Sequence, residues 1–151
     1  MLGSEITSII KKDLKLKNYF RGVFASDTLP TSLERGKTHA IVVNLDKISQ
    51  PGSHWCAIFI ASNGYCIYFD PLGIPPFVPS ILSFIEKNST FYQWNDMIIQ
   101  SLLSYTCGFY VIFFLRKVIR GVTLRRFQSY FKKLNYHYND NVVCQLYNNK
   151  F

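Results

Sequence analysis

Long apolar stretches are missing from this chain, and acidic residues are missing from much of it. The longest apolar run, Phe109 to Leu115, falls far short of the about 20 residues that cross a bilayer, so no membrane span is expected. Met1 to Lys12 does not pair a basic start with a long apolar segment, so secretion is not expected either. Cysteine is sparse. Cys56, Cys66, Cys107 and Cys144 form no C-x-x-C pair and no crowded framework, which argues against a structural metal or a disulfide scaffold. A reducing compartment, cytosol or nucleus, follows as the default. No repeat, linker or low-complexity segment breaks the chain, so residues 1–151 read as one domain, long enough for a proper core.

Aromatic residues are abundant, with 13 Phe and 10 Tyr in a chain that is 48% apolar, which excludes a disordered tail protein. Nine acidic residues face 17 Lys and Arg, for a net charge of +8. The excess is local. Arg116, Lys117, Arg120, Arg125, Arg126, Lys132 and Lys133 follow one another without an acid between them. Lys11, Lys12, Lys15, Lys17 and Arg21 form a second cluster. Such runs are either ordinary solvated helix faces or contacts for a polyanion, most simply non-specific and salt-sensitive binding of DNA.

Periodicity assigns the elements. Ser4 to Lys17 reads as an amphipathic helix on Ile6, Ile9, Ile10 and Leu14, with a lysine-rich polar face. Thr38 to Leu45, Trp55 to Ala61 and Tyr65 to Phe69 read as strands, and a short strand is expected around Met97 to Ile99. Helices are expected over Phe77 to Lys87, Phe109 to Ile119, Thr123 to Leu134 and Asp140 to Tyr147, with Thr123 as an N-cap. The sum is an α+β domain, a small central mixed sheet flanked by helices. The turn at Ser62-Asn63-Gly64 decides the register of the hairpin. Three residues, with Gly64 left-handed, put Cys56 opposite Asp70 and Asp70 on the face of His54; a two-residue Asn63-Gly64 turn would put Ala57 there. We expect the three-residue turn.

Cys107 stands where a polar loop meets the apolar run, at or near the first turn of a helix whose free N–H groups and dipole favour a thiolate. It is either a nucleophile or a packing cysteine. A thiol nucleophile needs a base and the base an orienting acceptor. Of the three histidines, His39 begins a strand and suits a structural role, and His137 lies in an exposed loop. His54 opens a strand whose hairpin partner ends in Asp70. A surface imidazole and a turn-starting Asp before Pro71 are the plain alternatives. Gln100, seven residues before Cys107, offers a neutral amide for a developing oxyanion, beside the Cys107 N–H.

Gly52-Ser53-His54-Trp55, Tyr68-Phe69-Asp70-Pro71-Leu72-Gly73, and Gln100 seven residues before Cys107-Gly108-Phe109-Tyr110 occur in the order His, Asp, Gln, Cys. Over roughly Phe20 to Arg120 the chain resembles the adenovirus protease (adenain) family, within the cysteine protease clan that includes the SUMO-deconjugating enzymes. The resemblance implies a cysteine endopeptidase in which Cys107 attacks, His54 moves the proton, Asp70 orients His54, and Gln100 with the Cys107 N–H binds the oxyanion. Trp55 would wall the substrate groove or pack in the core. It implies a polypeptide substrate, namely capsid precursors cleaved beside small residues. It implies action in the virion or the host cell interior, as a monomer without a metal or a chemical cofactor, with DNA or a peptide as possible activator. Adenain has Glu in the place of Asp70 and the SUMO branch has Asp, so the acid does not assign the branch. Two other readings stand beside this one: removal of ubiquitin-like modifiers by the same machinery, and a basic DNA-binding protein with a chance His/Asp/Gln/Cys set.

Overall fold

The computed structural model describes residues 1–148. Five strands form one mixed sheet in the order β1 (Phe20–Phe24), β2 (His39–Asn44), β3 (Trp55–Ile60), β4 (Tyr65–Phe69), β5 (Phe91–Trp94). The central pairs are antiparallel, and both outer strands run parallel to their neighbours. The helices are α1 (Gly3–Lys11), α2 (Pro79–Asn88), α3 (Cys107–Val118), α4 (Leu124–Gln128) and α5 (Tyr136–Asn148). The α+β class read from the sequence is the one observed. No helix among the described residues is long and apolar enough to cross a membrane.

The sheet is buried on both faces because period 2 sends alternate apolar side chains to two separate cores. Ala40, Val42, Ala57, Phe59, Ile67 and Phe69 meet α3. Ile41, Val43, Ile58, Ile60 and Tyr68 meet Ile81, Phe84 and Ile85 of α2. Helix α3 is buried almost all round, which explains its lack of polar positions before Arg116. Phe69 stacks on Phe114 at 4.4 Å between ring centroids. Phe127 of α4 meets Phe69, Phe113 and Phe114 within 5.4 Å.

The hairpin has the expected three-residue turn. Ala57 pairs with Phe69 and Ile60 with Cys66, a register that carries on to set Cys56 opposite Asp70. Gly64 takes φ +88, a conformation that would strain most other residues there.

Elsewhere local competition shifts the boundaries. α1 stops at Lys11 rather than Lys17, because the Asp13 carboxylate accepts the N–H groups of Lys15 and Leu16; Leu14 then points to solvent and Leu16 to the core. Phe20–Phe24, where no strand was expected, is the parallel edge strand β1, with Gly22 (φ +142) at an irregularity in its register. α2 begins at Pro79, not Phe77, since the residue before a proline is driven out of the helical region and Pro suits a first turn. The strand expected around Met97 to Ile99 is absent, and its place in the sheet belongs to β5. α4 ends at Gln128 instead of Leu134, where the chain reverses with Leu134 at φ +60. α5 starts at Tyr136 rather than Asp140, so His137 is an exposed helical residue and not a loop residue.

Candidate active site

Three strand ends and one helix start converge at one end of the central strands. His54 immediately precedes β3, and its carbonyl accepts the N–H of Leu45, so the β2–β3 ladder holds its backbone. The Asn44 side-chain oxygen accepts N–H groups from Asp46 and Ser53 and shapes the turn before it. Asp70 follows β4 directly. Its backbone carbonyl accepts from the side chain of Asn95, which is fully buried and accepts in turn from Gln128. Sequence reading missed Asn95, because a lone Asn after an ambiguous strand carries no signal until α4 lies beside it.

His54 Nε2 lies 2.7 Å from Asp70 Oδ1. A carboxylate oxygen only accepts, so Nε2 carries the proton and Nδ1 remains for the thiol. Asp70 Oδ1 also accepts the N–H of Leu72 at 2.8 Å. Burial alone would pull the His54 pKa down. The hydrogen bond to Asp70, helped by those to Cys107 and Cys56, outweighs it and raises the value to about 12. Cys107 is the first residue of α3. Burial pushes its thiol up, but His54 and the N–H groups of Trp55 and Gly108 pull harder, and the net shift is downward from 9.0. The opposed shifts favour a thiolate beside an imidazolium. The other thiols move the other way. Burial raises Cys56 to about 11, Cys66 to about 12, and Cys144 as well.

Gln100 is buried, and its backbone N–H is held by the carbonyl of Pro71, the residue directly after Asp70. Its Nε2 donates to the Ser104 carbonyl at 3.1 Å. A carbonyl selects the NH₂ end of an amide, and the second hydrogen of that nitrogen is left over. The Cys107 N–H, at the first helical position, lacks an intrahelical acceptor. Both donors border a cleft of about 590 Å³ that His54, Trp55 and Tyr105 also line. Trp55 stands between the cleft and the core. It lines the cleft, packs partly against the core, and donates Nε1–H to the Met1 carbonyl at 3.0 Å. A Cβ on Gly108 would come 2.9 Å from Met1 Sδ, so a side chain after Cys107 would require the Met1 side chain to shift.

Ligand atoms of His54, Cys56 and Asp70 lie within 4.8 Å of one another. A cation there would compete with the His54–Asp70 hydrogen bond, which already engages two of the three groups. His39 has the structural role expected of it: Nδ1 accepts from Arg21 Nε at 2.8 Å, and Nε2 meets the Glu34 carbonyl at 2.7 Å.

Arg116 and Lys117 lie near the far end of α3, about 14–15 Å along the helix from Cys107 at 1.5 Å per residue, and Arg125 and Arg126 lie on α4. Arg116 is only 7% exposed and packs against Asp13, so it must be struck from any polyanion-binding surface. Arg120 grips the same carboxylate at 2.8 Å, and Lys117 lies over the rings of Phe113 and Tyr130. Arg125, Arg126, Lys132 and Lys133 are exposed, with Lys132 Nζ 3.9 Å above the Tyr138 ring.

No family model matches the chain. A protein of Acanthamoeba polyphaga mimivirus, provisionally named a thiol protease, is 36% identical over 92 residues, covering 54% of this chain. The matched region spans 30% of that relative's length. The crystal structure of the ASFV pS273R protease superposes with a TM-score of 0.50 at 22% identity, covering 69% of this chain and 43% of the other. The chain therefore shares its fold with that protease, and it spans less than half the length of either protein it matches.

Proposed function

We propose that the protein is a cysteine endopeptidase of the adenain type. The observation that carries this reading is the His54–Asp70 pair at 2.7 Å beside a thiol whose pKa is lowered by that same histidine. The Cys107 thiolate attacks the scissile carbonyl carbon, and the carbonyl oxygen takes up negative charge against the free Gln100 N–H and the Cys107 N–H. His54 gives its Nδ1 proton to the leaving amine as the tetrahedral intermediate collapses to a thioester. It then takes a proton from the water that releases the acid. Asp70 holds the imidazole in the required tautomer throughout.

The substrate in this reading is a polypeptide, namely a capsid or core precursor cleaved beside small residues during maturation, in the virion or the host cell interior. The exposed cations Arg125, Arg126, Lys132 and Lys133 would let DNA act as an activator at a distance from the thiol, and a peptide activator is equally compatible. The enzyme works as a monomer and uses no metal.

The test is alkylation by an iodoacetamide probe at pH 6, mapped by mass spectrometry on wild type and His54→Ala, followed by cleavage of capsid-derived peptides. Selective, His54-dependent labelling of Cys107 with Cys107-dependent cleavage is expected. Reaction with a modifier probe ending in Gly-Gly would move the reading to the deconjugating branch. Salt-dependent DNA binding with no hydrolysis under any activator would end the enzyme reading.

A further inference from the structure

The loop that presents Gln100 and the Cys107 N–H is not held by its own packing. Leu102, Leu103 and Tyr105 all point to solvent, with Leu103 92% and Tyr105 90% exposed. Its shape is set by polar groups, and these lead to α5. Asp140 of α5 is 7% exposed, and its Oδ1 accepts from the Tyr110 hydroxyl at 2.8 Å and from Thr106 Oγ1 at 3.1 Å. The Thr106 hydroxyl oxygen also lies 2.8 Å from Ser104 Oγ, whose hydroxyl reaches the Ser101 carbonyl at 3.1 Å as well. The Ser104 carbonyl receives Gln100 Nε2. The neighbouring Asn139, fully buried, donates to the Ile99 carbonyl at 3.1 Å, in the peptide unit that precedes Gln100.

We propose that Asp140 is a positioning residue for the oxyanion donors, acting through Thr106 and Ser104 to fix which hydrogen of the Gln100 amide faces the cleft. Two features support this. Thr106 is the N-cap of α3 yet makes no side-chain cap bond to its own helix; its hydroxyl is turned to Asp140 instead. Moreover, Gln100 Oε1 is buried without a hydrogen-bond partner, which has a cost unless the other end of the amide is needed where it is. No acid lies within the loop itself. The chain brings one from 34 residues beyond Thr106.

The inference rests on the protease reading, and two reactions of the same thiol separate their fates. p-Nitrophenyl acetate acylates Cys107 through a tetrahedral oxyanion: the S–C bond forms, the ester C–O bond breaks, and p-nitrophenolate leaves. Iodoacetamide alkylates it by direct displacement of iodide, with no oxyanion. Both rates are read at Cys107 by mass spectrometry on the full chain. Gln100→Ala is expected to slow acylation by about 10²-fold and Asp140→Ala by about tenfold, with alkylation within about twofold. Asp140→Asn keeps an Oδ1 acceptor and should acylate within about twofold of wild type. The Gln100/Asp140 double variant should be no slower than Gln100→Ala alone. Equal slowing of both reactions, or no slowing of acylation, overturns the proposal. If Asp140→Ala does not fold, Thr106→Val, which removes only the relay hydroxyl, decides by the same two rates. The protease reading fails separately, if Cys107 in wild type reacts no faster than Cys144 in either assay.

Discussion

The two ends of α3 carry opposite chemistry. At its N-terminus Cys107 is set among N–H groups and an imidazole that favour an anion. At its C-terminus Arg116 and Arg120 are drawn to Asp13, a single carboxylate contributed by the turn after α1. Both ends obey the helix dipole, which favours negative charge at the start and positive charge at the end. They differ in what is left over. The carboxylate at the C-terminal end is spent on two guanidinium groups, so that end is a clasp joining α1 to α3. The N-terminal end keeps a thiol, an N–H and an amide hydrogen facing a cleft. An end with its charges mutually engaged holds the fold, whereas an end with groups in reserve can act on a substrate.

Substitutions should break this contrast in a defined order of severity. Cys107→Ala should abolish peptide cleavage while leaving the circular dichroism spectrum and melting temperature close to wild type. His54→Ala should lower turnover by about 10²–10⁴-fold, the usual span for loss of a general acid–base, and should remove the preference for Cys107 in alkylation. The pH profile sharpens the comparison next. Cys107 is lowered from 9.0 and the other three thiols are raised, so at pH 6 alkylation should fall on Cys107 alone. Its rate should decline only as acid protonates the thiolate; equal rates at all four sites would refute the ion pair.

At the other end, Asp13→Ala should cost about 1–3 kcal/mol of stability, read by denaturant unfolding, because the carboxylate that ties Arg116 and Arg120 to the turn after α1 is removed. Turnover at low temperature should be unaffected. Burial opposes ionisation of Asp13, but the hydrogen bonds from Arg120 and the backbone prevail and hold its pKa below 3.8. Its contribution is therefore present above that value and is lost only as pH falls through the lower folded one. The smallest effect belongs to the exposed cations. Arg125→Gln with Arg126→Gln should weaken DNA binding modestly and flatten its salt dependence by about one unit of slope per lost phosphate contact. Unchanged affinity would remove DNA from the list of activators.

Much of this was legible without coordinates, for reasons that differ by element. The hairpin register follows from one glycine and a turn length, since both are local, and it alone sets Asp70 beside His54. A helix start close to Cys107 follows from a break between polar and apolar sequence, although the pattern points to Phe109 and α3 begins two residues earlier, at Cys107. By contrast β1 and β5 were missed or misplaced. Parallel edge strands take their pairing from residues far along the chain, so short, mixed segments such as Phe91–Trp94 show no alternation of their own. The basic run was read as one surface, yet burial divides it, with Arg116 in the core and Arg125 in solvent. Asn95, Asn139 and Asp140 had no signal, because each is a single polar residue whose partners arrive by tertiary folding.

The sequence by itself determined the fold class, the order His54, Asp70, Gln100, Cys107, and the turn that aligns the first two. Those depend on spacing along one strand, one hairpin or one helix start, distances the backbone geometry sets. Only the tertiary structure decided how the Gln100 amide is turned, which cations are already engaged, and that α5 reaches the loop beside Cys107. Those depend on side chains meeting across gaps of 34 to 107 residues, as Thr106 meets Asp140 and Asp13 meets Arg120. Packing of the whole chain brings such groups within hydrogen-bond range, and no local pattern encodes it.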